Sequence, residues 1–240
     1  QIFHIPFNWV ITNQLNLLPN DTSIPLNLLV ISLFYGVSAG VFEEVTRYLI
    51  YRFWAKDART WGRGLMAGSG WGGVESMILG LIVLINAVAL AMMSQGYWLE
   101  MVPAEQQGLL AEQIEAMLVL PLYEAMLGSL ERVFAMCLHL SLSLMVMQVF
   151  TRGKLWWLWV AIGWHAFVDA TAVFVQIYWA NAYLTEAIVG LYALISLGII
   201  FWLREPEPIE PEIEPLPYPA PIKPVDIKAT AESLDQSKFT

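Results

Sequence analysis

Five apolar stretches, each long enough to cross a lipid bilayer, dominate this chain of 240 residues. They run approximately over residues 24–52, 65–93, 119–150, 155–178 and 183–203. A membrane-spanning helix needs about 20 consecutive, predominantly apolar residues. Only 14% of the residues are charged, whereas soluble domains carry about 25%. The sequence therefore predicts an all-α protein in which residues 1–204 form a polytopic transmembrane helical bundle.

Two further segments carry weaker helical signals. Residues 2–18 are apolar but contain Pro6, Asn8 and Asn13, which indicates either a truncated N-terminal span or a partly inserted segment. Residues 106–117 are amphipathic and end before Pro121. This pattern is typical of a helix lying on the outer membrane surface, although an ordinary exposed loop helix fits it equally well.

Loop charges predict how the bundle is oriented. The second loop carries four glutamates and no Lys or Arg, whereas basic residues gather in the first and third loops and after the last span. These basic residues are Arg52, Lys56, Arg59, Arg63, Arg152, Lys154 and Arg204. Because basic loops stay on the cytoplasmic side, we expect an integral protein of the cell membrane with a cytoplasmic C-terminus.

The last segment, residues 205–240, differs in composition from the bundle. It holds eight acidic and three basic residues, and eight prolines lie between Pro206 and Pro224. A segment of this kind buries too little apolar surface to fold alone, and its prolines exclude a regular helix. It predicts a disordered Pro/Glu-rich cytoplasmic tail, with docking onto a protein partner as the alternative.

Ionisable residues inside the apolar stretches are the strongest sign of a functional site. Each costs roughly 2.5–3.5 kcal/mol or more at the centre of a membrane helix, so they rarely persist there without pairing or function. The stretches contain Glu43, Glu44, Arg47, Glu75, Glu131, Arg132, His139, His165 and Asp169. Helical rise places Glu or His at a similar depth on four different helices. This common depth predicts one polar site.

Spacing along the helices supports the same interpretation. Arg47 lies four residues after Glu43 and three after Glu44, so one arginine can reach either carboxylate. His165 and Asp169 are four residues apart and share a helix face, which lets the carboxylate orient the imidazole. Pairs of this kind can also serve only to hold helices together, and that structural interpretation stands beside the functional one.

These residue types permit hydrolysis inside the membrane. A carboxylate desolvated among helices is a competent general base, while His and Arg side chains can stabilise an oxyanion. Alternatively, His139, His165 and either Glu43 or Glu44 could bind Zn²⁺ and leave one position open for water. The single cysteine, Cys137, excludes an intramolecular disulfide. A net charge of −9 gives no reason to expect nucleic-acid binding.

The polar motifs resemble those of the YhfC family of intramembrane peptidases, which is related to the CAAX prenyl endopeptidase and bacteriocin-processing group of glutamate-type membrane proteases. The likeness runs from the Phe-His-Ile-Pro-Phe-Asn segment at Phe3–Asn8 to Asp169. The wider group carries Glu-Glu-x-x-x-Arg, Phe-x-x-x-His and His-x-x-x-Asn/Asp on separate helices. Here the Glu–Arg spacing is one residue shorter and Ala135 occupies the Phe position, whereas His165 and Asp169 match fully.

The resemblance implies a glutamate-type intramembrane protease with a cavity open toward the cytoplasmic half. It implies that Glu43 or Glu44 activates water, and that His139 and His165 position that water or stabilise the oxyanion. The implied supporting residues are Arg47, which tunes the glutamates, Asp169, which orients His165, and Glu75, Glu131 and Arg132. The resemblance favours a mechanism without metal, with Zn²⁺ as the alternative.

The expected substrate is a membrane protein or a membrane-associated peptide, and the expected surroundings are the lipid bilayer. A non-catalytic membrane subunit that keeps the protease-like fold is the main alternative. A proton or solute carrier would use the same intramembrane carboxylates as relays. We rank it last because the sequence shows no inverted repeat.

Overall fold

In this computed structural model, residues 4–206 are described, and they form helices without any strand. The helices are α1 (His4–Trp9), α2 (Pro25–Phe53), α3 (Trp61–Ser94), α4 (Gln107–Val119), α5 (Leu122–Thr151), α6 (Trp156–Trp179) and α7 (Ala182–Trp202). Helices α2, α3, α5, α6 and α7 are long and apolar enough to cross a membrane. The all-α polytopic bundle is thus confirmed. The predicted disordered tail lies, from residue 207 onward, outside the described residues.

The helix boundaries follow local signals at their ends. Helix α3 begins four residues earlier than predicted, since the Thr60 side chain caps it by accepting a hydrogen bond from the Arg63 N–H. The third predicted span began too early because Leu120 and Pro121 separate α4 from α5. A proline is tolerated there because the first N–H groups of a helix have no partner within it.

The two segments with weaker signals are both helical. The predicted amphipathic segment forms α4, most of whose residues are exposed. Helix α1 continues into a π-helical turn at Val10–Gln14. Helix α1 and this π-helical turn together are shorter than the roughly 20 residues that a membrane span requires.

Helix α2 packs closely along α6 through two glycines four residues apart. A methyl group added to Gly36 would clash with the backbone oxygen of Ala166, and one added to Gly40 would lie 2.7 Å from that of Ile162. Small residues at this spacing let membrane helices approach one another closely. The contact brings the middle of α2 against the middle of α6.

Helix α3 packs along α5 in the same manner. A methyl group at Gly68 would lie 2.9 Å from the Leu140 Cα, and one at Gly72 would lie 3.0 Å from the His139 ring. The turn of α3 that follows Gly72 carries Glu75. The close contact of α3 with α5 therefore places Glu75 beside His139.

The bundle has two different ends. We call the end with loops 54–60 and 152–155 the basic-loop end, and the end with loop 95–106 and the turn at 180–181 the acidic-loop end. An apolar core fills the basic-loop end. It includes Tyr51, Leu142, Leu144, Met147, Trp157, Leu158, Ala161 and Leu203, all less than 10% exposed.

Side chains from the first loop and the start of α3 close that end further. The Arg59 guanidinium donates a hydrogen bond of 2.6 Å to the carbonyl oxygen of Tyr51. The Trp61 indole donates one of 3.2 Å to the carbonyl oxygen of Ile200.

Candidate active site

Glu44 and Arg47 form a buried ion pair in the middle of α2. One guanidinium nitrogen of Arg47 donates to both carboxylate oxygens of Glu44, at 3.0 and 2.7 Å. Nδ1 of His165 lies 2.8 Å from Oε1 of the same carboxylate. Both oxygens of Glu44 are therefore engaged, as a charge this deeply buried requires.

The same arginine orients His139 on α5. The other terminal nitrogen of Arg47 lies 3.1 Å from Nδ1 of His139. A guanidinium can only donate, so Nδ1 accepts and the neutral ring carries its proton on Nε2. That Nε2 lies 2.9 Å from Oε2 of Glu75. The rings of His139 and His165 lie 5.8 Å apart, nearly perpendicular to each other.

Glu43 faces the other side of α2, toward α3 and the cavity described below. The Trp71 indole donates a hydrogen bond of 3.1 Å to Oε2 of Glu43. The guanidinium of Arg47 stacks on the same indole, 4.9 Å from the ring centre. Trp71 thus holds the Glu43 carboxylate while packing against the cation that neutralises Glu44.

A second layer of charged residues lies nearer the acidic-loop end. Arg132 contacts the carboxylates of Glu131 and, at 3.5 Å, Glu75. Asp169 lies 3.4 Å from Nε2 of His165. Both ring nitrogens of His165 therefore face carboxylate oxygens, and each is placed to donate.

These residues surround a cavity of about 320 Å³. Its polar lining consists of His4, Tyr35, Glu43, Glu75, Glu131, Arg132, His139, His165, Asp169 and Tyr192. The cavity extends from the histidines toward the acidic-loop end. An apolar core occupies the basic-loop half. The expected opening of the cavity toward the cytoplasmic half stays a prediction.

All nine predicted site residues meet around this cavity or directly behind its wall. Glu44 and Arg47 lie behind the wall, and the other seven line it. The sequence reasoning missed Trp71 and His4. Trp71 could have been found because it lies four residues before Glu75, on the same face of α3.

His4 is the third histidine of the chain and comes from α1. Its Nε2 lies 3.0 Å from Oγ of Ser38 and 2.8 Å from Nδ2 of Asn8. The sequence placed His4 in a segment of uncertain topology, so its depth could not be compared with that of the other histidines. Its ring joins the lining of the cavity from outside the five long helices.

A divalent cation fits the donor set of the site in number and kind. Glu43, Glu75 and His139 each offer a ligand atom, and these atoms lie within 4.8 Å of one another. Catalytic zinc sites use three such ligands and leave one position open. The predicted zinc ligands were His139, His165 and either Glu43 or Glu44. In the structure His165 and Glu44 are hydrogen-bonded to each other, and Glu75 takes the third place beside Glu43 and His139.

One contact opposes metal binding in this arrangement. A histidine ligand usually donates its other ring N–H to an acceptor, whereas Nδ1 of His139 faces the donor Arg47. His139 would therefore hold a cation through Nε2 only after Arg47 has withdrawn from Nδ1.

Carboxylates, histidines and an arginine line a cavity within a bundle of helices long enough to cross a membrane, and these residue types permit hydrolysis inside the membrane. Residues 1–189 match the model of the YhfC intramembrane metalloprotease family. The chain is also 34% identical, over 179 residues, to the uncharacterized membrane protein YhfC of Bacillus subtilis (strain 168). That match covers 71% of this chain and 68% of the relative. No solved structure matches the chain.

The chain therefore belongs to the YhfC intramembrane metalloprotease family. Both the predicted family and the predicted intramembrane endopeptidase are confirmed. The relationship to the CAAX prenyl endopeptidase group stays a prediction.

Proposed function

We propose that this membrane protease hydrolyses peptide bonds with water activated by the carboxylate of Glu43. The observation that carries the proposal is the different surroundings of the two adjacent glutamates. Glu43 lines the cavity next to His139, whereas both oxygens of Glu44 are engaged by Arg47 and His165. Of these two neighbours, Glu43 is the one whose side chain lines the cavity where a substrate would bind.

The reaction then follows from the groups on the cavity wall. Glu43 takes a proton from water, and the oxygen of that water forms a bond to the carbonyl carbon of the substrate. Negative charge develops on the carbonyl oxygen, and the Nε2–H of His139, which faces Glu75 before the substrate binds, would turn its hydrogen bond to that oxygen. When the C–N bond breaks, Glu43 returns its proton to the leaving nitrogen.

The buried groups behind the wall hold this arrangement in place. Arg47 fixes the tautomer of His139 from the opposite ring nitrogen. Glu44 and Asp169 hold His165 from its two sides. These positioning residues keep the reacting groups oriented before the substrate arrives, and preorganised donors are the main source of oxyanion stabilisation.

Replacement of Glu43 tests the assignment of the base. Loss of a general base costs about 10²- to 10⁴-fold in rate, so Glu43→Gln should lower turnover by at least about a hundredfold. Glu124→Gln, at an exposed position of α5, is the matched control and should keep full turnover. Purified proteins of equal thermal stability should be compared on one membrane-embedded substrate. Full turnover of Glu43→Gln would contradict the proposal.

The second candidate mechanism uses a metal, and the three clustered ligand atoms favour it. Glu43, Glu75 and His139 would hold the cation, which would act as a Lewis acid on the substrate carbonyl. Elemental analysis of the purified protein, before and after Glu75→Gln, separates the mechanisms. Stoichiometric metal that is lost together with Glu75 supports the metal mechanism. Full turnover without metal supports the carboxylate mechanism.

The substrate we propose is a membrane protein or a membrane-anchored peptide. The orientation we propose, from the loop charges, places the basic-loop end and the C-terminus in the cytoplasm.

A further inference from the structure

We propose that the active-site cavity is a water-filled vestibule open toward the acidic-loop end, so that substrates enter from that side of the membrane. On the proposed orientation this is the non-cytoplasmic side. The access route follows from the geometry alone. The substrate class rests on the proposed function: a membrane segment whose scissile bond lies in the leaflet at the acidic-loop end.

The course of the cavity along three helices supports this direction. Its lining runs from Glu43 back to Tyr35 on α2 and from His139 back to Glu131 on α5. On α6 it runs forward from His165 to Val173. Each path covers eight residues, or about 12 Å of helix. All three paths lead away from the basic-loop end.

Exposure rises along the same direction. The side chains of His139 and His165 are each 4% exposed, whereas those of Asp169 and Glu131 are 35% and 41% exposed. Charged groups are too costly to face lipid at this depth and normally line a water-filled space. The two carboxylates therefore indicate that water reaches the outer part of the cavity.

The opposite end offers no such route within the described residues. Between the histidines and the basic loops, the space is occupied by side chains such as Leu142 and Leu203, both fully buried, and Trp157. Interiors of this kind are close-packed. A substrate could reach the histidines from the basic-loop end only by displacing this core.

Two cysteine variants on the same helix test the direction of access. In a Cys137→Ala background, which removes the only cysteine, Ala172→Cys places a thiol in the cavity lining. Ala161→Cys places one in the apolar core, at a fully buried position. Met101→Cys reports the acidic-loop side and Lys56→Cys the basic-loop side, since both positions are exposed. The probe is a charged, membrane-impermeant thiol reagent, added separately to sealed vesicles of each orientation.

Ala172→Cys should be modified to completion from the same side as Met101→Cys, while Ala161→Cys should resist modification from both sides. Modification of Ala172→Cys from the Lys56→Cys side would overturn the proposal. Resistance of Ala172→Cys to modification from both sides, while Met101→Cys reacts, would also overturn the proposal. If Ala172→Cys fails to fold, Ala135→Cys on α5 lines the same cavity and should give the same pattern.

The same labelling in a Glu43→Gln background separates this inference from the proposed function. The access pattern does not depend on turnover and should be unchanged there. If labelling follows the prediction but Glu43→Gln stays active, the assignment of the base fails and the access route stands. If Glu43→Gln is inactive but Ala172→Cys reacts from the wrong side, only the access route fails.

Discussion

Two neighbouring glutamates have different environments because successive residues on a helix point about 100° apart. Glu44 points toward α6, where His165 lies 2.8 Å from its carboxylate, and Arg47 of the same helix pairs with it. Glu43 points toward α3, where Trp71 donates to it. The sequence could not show which glutamate pairs with Arg47, since separations of three and of four residues along a helix both allow an ion pair. The two roles are separated by side chains from other helices, His165 on α6 for Glu44 and Trp71 on α3 for Glu43.

Glu44→Gln should destabilise the fold strongly. It leaves the buried Arg47 guanidinium without its carboxylate partner, and breaking a buried ion pair costs about 3–5 kcal/mol. Unfolding in mixed micelles measures this loss of stability, and Glu43→Gln is the adjacent comparison, with a smaller expected loss. Wild-type stability of Glu44→Gln would show that the pair contributes little to the fold.

Trp71→Phe should lower activity while largely preserving the fold. The variant keeps an aromatic ring beside Arg47 but loses the N–H that holds Glu43. A hydrogen bond to a charged group contributes about 1.5–3 kcal/mol, so we expect turnover to fall by about tenfold or more. Trp159→Phe, at a position 65% exposed, is the control. Equal turnover of the two variants would contradict a positioning role for Trp71.

At the scale of helices, apolar stretches predicted the spans well but could not predict their pairing. Lipid tails are as apolar as the helix surfaces, so hydrophobicity alone does not choose a partner helix. Which helices pair is determined by small residues, because two helices can approach closely where these residues face each other. Gly36 and Gly40 showed the relevant spacing in the sequence, but nothing there identified α6 as the helix they contact.

Gly36→Ala should therefore disrupt the pairing of α2 with α6. The added methyl group would meet the backbone of Ala166, which cannot move without shifting a helix, and overpacking of this kind costs about 1–3 kcal/mol. Gly163→Ala on α6 adds the same group where nothing lies within 4 Å. Thermal unfolding in detergent should show a lower transition temperature for Gly36→Ala alone. Equal transitions would mean that the glycine contact does not limit the packing.

At the scale of the molecule, depth along the spans predicted that the polar residues meet, whereas the direction in which their cavity opens was implied only by the family resemblance. The prediction that these residues meet followed from the similar depths of Glu44, Glu75, His139 and His165, and the depth of each can be read from its own helix. The opening depends on which end of the bundle is packed. Leu142 and Ala161 are fully buried at the basic-loop end, and apolar residues occur along the whole length of every span. Hydropathy therefore could not locate the core.

Removal of residues 207–240 separates a protease that works alone from a docking subunit. The site residues described above all come from residues 4–206, and the sequence predicts a tail too rich in proline to continue as a helix. We therefore expect the truncated chain to insert into membranes and to keep turnover near that of the full chain, as measured in purified preparations. Loss of stoichiometric partners without any peptidase activity in either form would instead favour the non-catalytic subunit.

The central claim, that Glu43 activates water without a metal, is tested most directly by turnover in the presence of excess chelator. Cleavage of a membrane-embedded peptide should be followed by mass spectrometry for the wild type and Glu43→Gln, with metal content determined on the same samples. We expect full cleavage by the metal-free wild type and cleavage at least about a hundredfold slower by Glu43→Gln. Cleavage that disappears with the metal and returns when Zn²⁺ is added would contradict it.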